Sequence, residues 1–124
     1  MEIIYKTDKV KNICEDSQKA TKHFGGNKLL AVSLLARINA IKQAEEMKDI
    51  IAQRTMRFHK LINKGKRKNL EGYFAIDVKT PKDGWRIIIE PLDENKKPFV
   101  PCNIDEVSKM VRIIEIIEVS DHYE

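Results

Sequence analysis

The stretch Gly72-Tyr73-Phe74-Ala75-Ile76-Asp77-Val78, the turn Thr80-Pro81-Lys82-Asp83-Gly84 and the run Trp85-Arg86-Ile87-Ile88-Ile89-Glu90-Pro91 decide the fold. Residues of a strand point alternately to its two faces, so Phe74, Ile76 and Val78 share one face. In the second run Trp85, Ile87 and Ile89 share one face, and Arg86, Ile88 and Glu90 the other. The proline, aspartate and glycine between the runs are turn formers, and Pro91 is expected to end the second strand. The pair therefore reads as a β-hairpin.

Upstream of the hairpin the hydrophobic period is helical. After a short β-prone start, Ile3-Ile4-Tyr5, Thr7 can cap a helix carrying Val10, Ile13, Cys14, Ser17 and Thr21 at helical spacing. Phe24 and the pair Gly25-Gly26 stop it. Asn27 can cap a second helix, with the stripe Leu30, Leu34, Ile38 and Ile41, expected to run to about Met47. Residues 56–69 read as an extended loop or short strand. Downstream, residues 92–110 are polar and irregular, with a one-turn helix in which Asn103 caps and Glu106 closes a capping box. Val111 to Val119 is a last strand, apolar on both faces as a well-covered position requires. The order is β-α-α-β-β-β: an α+β domain spanning residues 1–124, with a helical hairpin packed on a small antiparallel sheet.

The length of 124 residues and 42% hydrophobic content fit one globular domain, and there is no repeat or linker. No apolar run approaches the roughly 20 residues of a membrane helix, and the start Met1-Glu2-Ile3-Ile4-Tyr5-Lys6 reads as a strand rather than a signal peptide. A cytoplasmic location, without a membrane partner, is expected. Cys14 and Cys102 have no CxxC spacing. A reduced buried pair fits a cytosolic protein and a single bridge is the alternative; no metal site or cofactor is expected.

The net charge of +4 is unevenly placed. From Ile50 to Leu70 there is no Asp or Glu, while Arg54, Arg57, Lys60, Lys64, Lys66, Arg67 and Lys68 all fall there. The last twenty residues are acidic by contrast. Such segregation fits a polyanion-facing surface, and also a solvated loop. His23, near the end of the first helix, complements the helix dipole. His59 lies inside the acid-free stretch, and His122 stands between Asp121 and Tyr123 past the last strand. Arg86 is either in a salt bridge with Glu90, or at an exposed edge, or a clamp for two phosphoryl oxygens. Cleavage of RNA by its own 2′-hydroxyl needs a base, an acid for the leaving 5′-oxygen and positive charge on the phosphorane. His59, Asp121, His122 and Tyr123 can move protons, and Arg86 with Lys60, Lys64, Lys66 or Arg67 can supply charge. Tyr73 and Tyr123 can stack bases.

Together, Arg57-Phe58-His59-Lys60-Leu61, the Lys/Gly/Arg-rich loop after it, Leu70-Glu71-Gly72-Tyr73-Phe74-Ala75-Ile76, Gly84-Trp85-Arg86-Ile87 and the ending Asp121-His122-Tyr123 resemble the HigB branch of the RelE/ParE toxin superfamily. The resemblance covers most of the chain and is strongest from Arg57 to Ile89. It implies a RelE-like fold and the toxin of a type II toxin-antitoxin system. The implied activity is ribosome-dependent cleavage of messenger RNA without a metal, inhibiting translation. Implied partners are a helix-turn-helix, HigA-like antitoxin, the ribosome with its message, and operator DNA only through the antitoxin complex. By position His59 matches the family histidine, Arg86 the catalytic arginine, Lys64 the loop lysine, and Asp121, His122 and Tyr123 the terminal trio. Arg57, Lys60, Lys66, Arg67 and Tyr73 complete the implied RNA surface. The sequence departs from the family pattern in three places. The family ends Asp-Tyr-His, whereas here the last two are exchanged and Glu124 follows. The loop from Ile62 to Asn69 is longer, and the segment 92–110 is larger.

Two further readings stand beside the nuclease: a ParE-like inhibitor of DNA gyrase that cuts no RNA, and a basic RNA-binding module without activity. If Arg86 is a catalytic clamp, Arg86→Ala is expected to relieve toxicity and leave the fold intact.

Overall fold

A computed structural model describes residues 1–62 and 70–123. Strand β1 (Glu2–Tyr5) leads into α1 (Asp8–Glu15), α2 (Ser17–His23), α3 (Lys28–Gln43) and the short α4 (Met47–Ile51). After a 3-10 turn at Arg54–Met56 come β2 (His59–Lys60), β3 (Phe74–Asp77), β4 (Arg86–Leu92), the single-turn α5 (Ile104–Val107) and β5 (Ile113–Ser120). The protein is α+β, and the described residues form a mostly antiparallel five-stranded sheet in the order β1-β5-β4-β3-β2. The one parallel pair is β1 with β5, which the helices between them make possible.

The hairpin forms as the alternation requires. Phe74 faces Ile89 and Ile76 faces Ile87 across β3 and β4. Phe74, Ile76, Val78, Ile87 and Ile89 pack with Leu34, Ile38 and Ile41 of α3 and with Val10, Ile13 and Cys14 of α1 into the main core. The opposite face carries a smaller cluster, Leu61, Ala75, Ile88 and Ile117, flanked by Leu70, Tyr73 and Tyr123.

Several local expectations are corrected. The first helix is two, because the Asp16 carboxylate accepts hydrogen bonds from the N–H groups of Gln18 (2.9 Å) and Lys19 (3.1 Å) and caps a new start. The second helix ends at Gln43. Met47 opens α4 instead, its N–H and that of Lys48 donating to the carbonyls of Val111 and Ser108. The chain is thus β-α-α-α-α-β-β-β-α-β, and four helical segments replace the expected hairpin. Strand β4 runs through Pro91 to Leu92, since β3 is exhausted at Phe74 and Pro91 pairs only with β5. Asn103 precedes α5 but makes no side-chain cap; the capping box lies at Glu46 and Asp49. Among the described residues no helix is long and apolar enough to cross a membrane.

Candidate functional site

Cross-strand register places the chemistry. His59 on β2 faces Ala75, and Asp77 at the end of β3 faces Arg86 at the start of β4, which in turn faces Ser120 at the end of β5. Alternation puts His59, Ala75, Asp77, Arg86 and Ile88 on the sheet face that carries no helices. Tyr123 and Tyr73 pack beside Ala75 and Ile88 on the same face. The mid-chain histidine, the strand arginine and the C-terminal tail therefore meet at one end of one surface.

Arg86 is nevertheless not open there. Its residue is 5% exposed, and its guanidinium donates to the carbonyls of Trp85 (2.9 Å), Pro81 (2.9 Å) and Thr80 (3.4 Å). Its Nε lies 3.2 Å from Asp77 Oδ1 without the alignment of a hydrogen bond, so that contact is chiefly Coulombic. The turn after β3 wraps the guanidinium because Asp83 folds it, accepting from the N–H groups of Thr80 (2.9 Å) and Trp85 (2.8 Å). The expected phosphate clamp at Arg86 is thus taken up by an internal partner, Asp77 rather than Glu90.

Asp77, 1% exposed, holds a second arginine. Arg57 Nε donates to Asp77 Oδ2 at 2.8 Å, while the Arg57 side chain stays 41% exposed. This hydrogen bond raises the Arg57 pKa further. Among the described residues its two terminal nitrogens make no hydrogen bond. Arg57 adopts the left-handed conformation, φ 47°, which turns the chain from the 3-10 turn into β2. A third arginine braces the site from α3: Arg37 donates to the main-chain oxygens of Asp77 (3.1 Å) and Thr55 (2.8 Å).

His59 is fixed next to Arg57. Its Nδ1 lies 2.7 Å from the Arg57 carbonyl oxygen. A carbonyl only accepts, so Nδ1 carries a proton in this contact. Phe58, between them, stacks on Phe74 with ring centroids 5.0 Å apart. Lys60 alternates to the other side of β2, where its charge acts on Cys102. Lys64, Lys66 and Arg67 lie outside the described residues.

The tail divides its two aromatic residues. Tyr123 lies over the small cluster near Tyr73, whose pKa is raised by burial and by the nearby Glu90, Glu115 and Tyr123. The His122 side chain is 88% exposed, 3.6 Å from the Asp121 carboxylate, and its main-chain N–H donates to Ser120 Oγ. Of the two exchanged residues, then, Tyr123 occupies the sheet face. His23 is structural, as expected: its Nε2 lies 2.8 Å from Val119 O, and its ring meets Trp85 edge-on. Cys14 and Cys102 are both free thiols.

The arginine network around Asp77 is the feature that sequence reading missed. Its signal was present: Asp77 and Arg86 both fall on the faces opposite the apolar triplets of their strands. No known family model matches this chain, and no curated protein or solved structure matches it either.

Proposed function

We propose that this protein is a RelE/HigB-like toxin that binds and cuts RNA on its helix-free sheet face. The observation that carries the reading is the pairing of Arg57 with His59. The outward edge of a guanidinium, oriented by a buried carboxylate, stands two residues from an imidazole fixed to the same backbone. Both belong to the acid-free basic stretch. An N-terminal strand and helical layer packed on a mostly antiparallel sheet support the RelE-like assignment that the motifs suggest.

In this reading Arg57, not Arg86, meets the phosphate. Its two terminal nitrogens match two phosphoryl oxygens and offset the charge that builds on the phosphorane. His59 Nε2 takes the proton of the attacking 2′-hydroxyl. As the 2′-oxygen–phosphorus bond forms, the phosphorus–5′-oxygen bond breaks. The imidazolium or solvent returns a proton to the leaving 5′-oxygen, giving a 2′,3′-cyclic phosphate and a 5′-hydroxyl. Tyr123 and Tyr73 offer ring faces to the neighbouring bases. Asp77 and Arg86 form the buried frame that aims Arg57. The partners are messenger RNA on the ribosome and a helix-turn-helix antitoxin.

A ParE-like, non-nuclease inhibitor is the second reading, and the internal pairing of Arg86 favours it, since the residue matching the family's catalytic arginine is withdrawn from solvent. Expression in a bacterial host separates the two. The nuclease reading expects new 5′ ends within translated messages, lost with His59→Ala. Intact messages together with inhibited gyrase supercoiling would establish the other.

A further inference from the structure

A second cationic surface lies on the helical layer. Lys9, Asn12 and Ile13 of α1 and Lys19, Lys22 and His23 of α2 line a groove of about 540 Å³. Each helix contributes the spacing i, i+3, i+4, so two matching faces meet where the chain breaks at Asp16. Among the described residues no acidic side chain lines the groove. Of the acids on and between these helices, Asp8 in the first turn of α1 is exposed and outside the lining, and Glu15 and Asp16 are engaged by other groups. Glu15 accepts from Tyr5 Oη and pairs with Lys42, and Asp16 caps α2 through its own backbone contacts. Lys9, Lys19 and Lys22 have no ion-pair partner among the described residues. Like charges gathered around a hollow without counter-charge favour an anion there.

We infer that this groove is a second seat for RNA, one that holds the phosphodiester backbone and is separate from the sheet face. The lining favours phosphate over an acidic peptide. Among the described lining residues Ile13 is the one aliphatic side chain and it is buried; the rest of the apolar wall is lysine stem, which carries an ammonium at its tip. Three flexible ammonium groups spread over two helices suit successive phosphates, which carry charge without shape. His23, tied to Val119 O, fixes the end of α2 against the sheet and so holds Lys22 in place. The inference extends the RNA-binding reading to a face that the His59 and Arg57 pair does not occupy.

The test is binding of a fluorescent single-stranded oligouridylate to the intact protein over a range of salt concentrations. The variants are Lys9→Gln/Lys19→Gln/Lys22→Gln and, separately, Arg57→Gln. All three lysines are exposed, and equal melting temperatures establish that the fold is kept. With single strands losing about 0.7 in salt slope per phosphate contact, the triple variant should show a slope shallower by about 2, and the affinity lost between about 50 and 200 mM salt should shrink about 20-fold. An unchanged slope with Arg57→Gln weakened would overturn the groove and leave the sheet-face site standing. No binding by the wild type would overturn both. Binding of labelled oligoglutamate that the triple substitution abolishes, with RNA binding unchanged, would assign the groove to an acidic protein partner and contradict the inference.

Discussion

Asp77 decides what the arginines can do. It is a single buried carboxylate shared by Arg86, whose guanidinium is enclosed, and Arg57, whose outer edge reaches solvent. Removing one partner of a buried pair leaves the other charge uncompensated, at about 3–5 kcal/mol. Asp77→Asn and Arg86→Ala are therefore both expected to lose about that much stability in urea unfolding, whereas Arg57→Ala, at a partly exposed pair, loses about 1 kcal/mol or less. This corrects the expectation that Arg86→Ala leaves the fold intact. A loss of toxicity in that variant does not by itself report on chemistry. Stability equal to wild type in Arg86→Ala would refute the framing role of the pair. The orientation of Arg86, away from Trp85 and Ile87, was legible from the period of two. Its partner was not, because Asp77 and Arg86 meet only through the register of β3 on β4, which no local window contains.

At the scale of elements, the sheet was more legible than the helices. Apolar spacing runs through Ile13, Cys14, Ser17 and Thr21 without interruption, so the period alone joins α1 to α2. The break comes from Asp16, whose short carboxylate competes for backbone N–H groups. The end of α3 and the start of α4 depend on Val111 and Ser108, far along the chain. The apolar residues on both sides of β5 have a specific cause. Register shifts at Ile88/Ile89, so Ile117 is an extra residue opposite them. The inward series Ile114, Ile116 thereby continues at Val119, while Ile117 joins the outer cluster. The same two strands set Glu90 directly against Glu115. Burial and the Glu115 charge raise the Glu90 pKa, with Lys6 opposing. A carboxyl whose folded pKa is raised contributes its full stability below the unfolded value, about 4.3, and loses it as pH rises through the folded value. Glu90→Gln is accordingly expected to raise the melting temperature at pH 7, and the gain should shrink as pH falls toward 4. A gain independent of pH would contradict the assignment.

At the scale of the molecule, two surfaces of positive charge stand on different layers among the described residues: the Arg57 and His59 edge of the sheet, and the lysine groove between α1 and α2. The first was anticipated from an acid-free run that is continuous in sequence. The second was not, since its lysines are separated by acids along the chain and only the helix break brings them together. His59, Arg86 and the tail come to the same end of the sheet, but Arg86 is enclosed with Asp77, which counts against its matching to the family's catalytic arginine, and the arginine that reaches solvent is Arg57.

The central claim is that Arg57 and His59 together cut RNA. Mapping of 5′-hydroxyl ends in messages from cells expressing wild type or Arg57→Ala, with the melting temperature of each purified protein, tests it most directly. The account predicts abundant 5′-hydroxyl ends with wild type and their loss in an equally folded Arg57→Ala protein. Undiminished cutting by that variant, or messages left whole by wild type while growth stops, would contradict it.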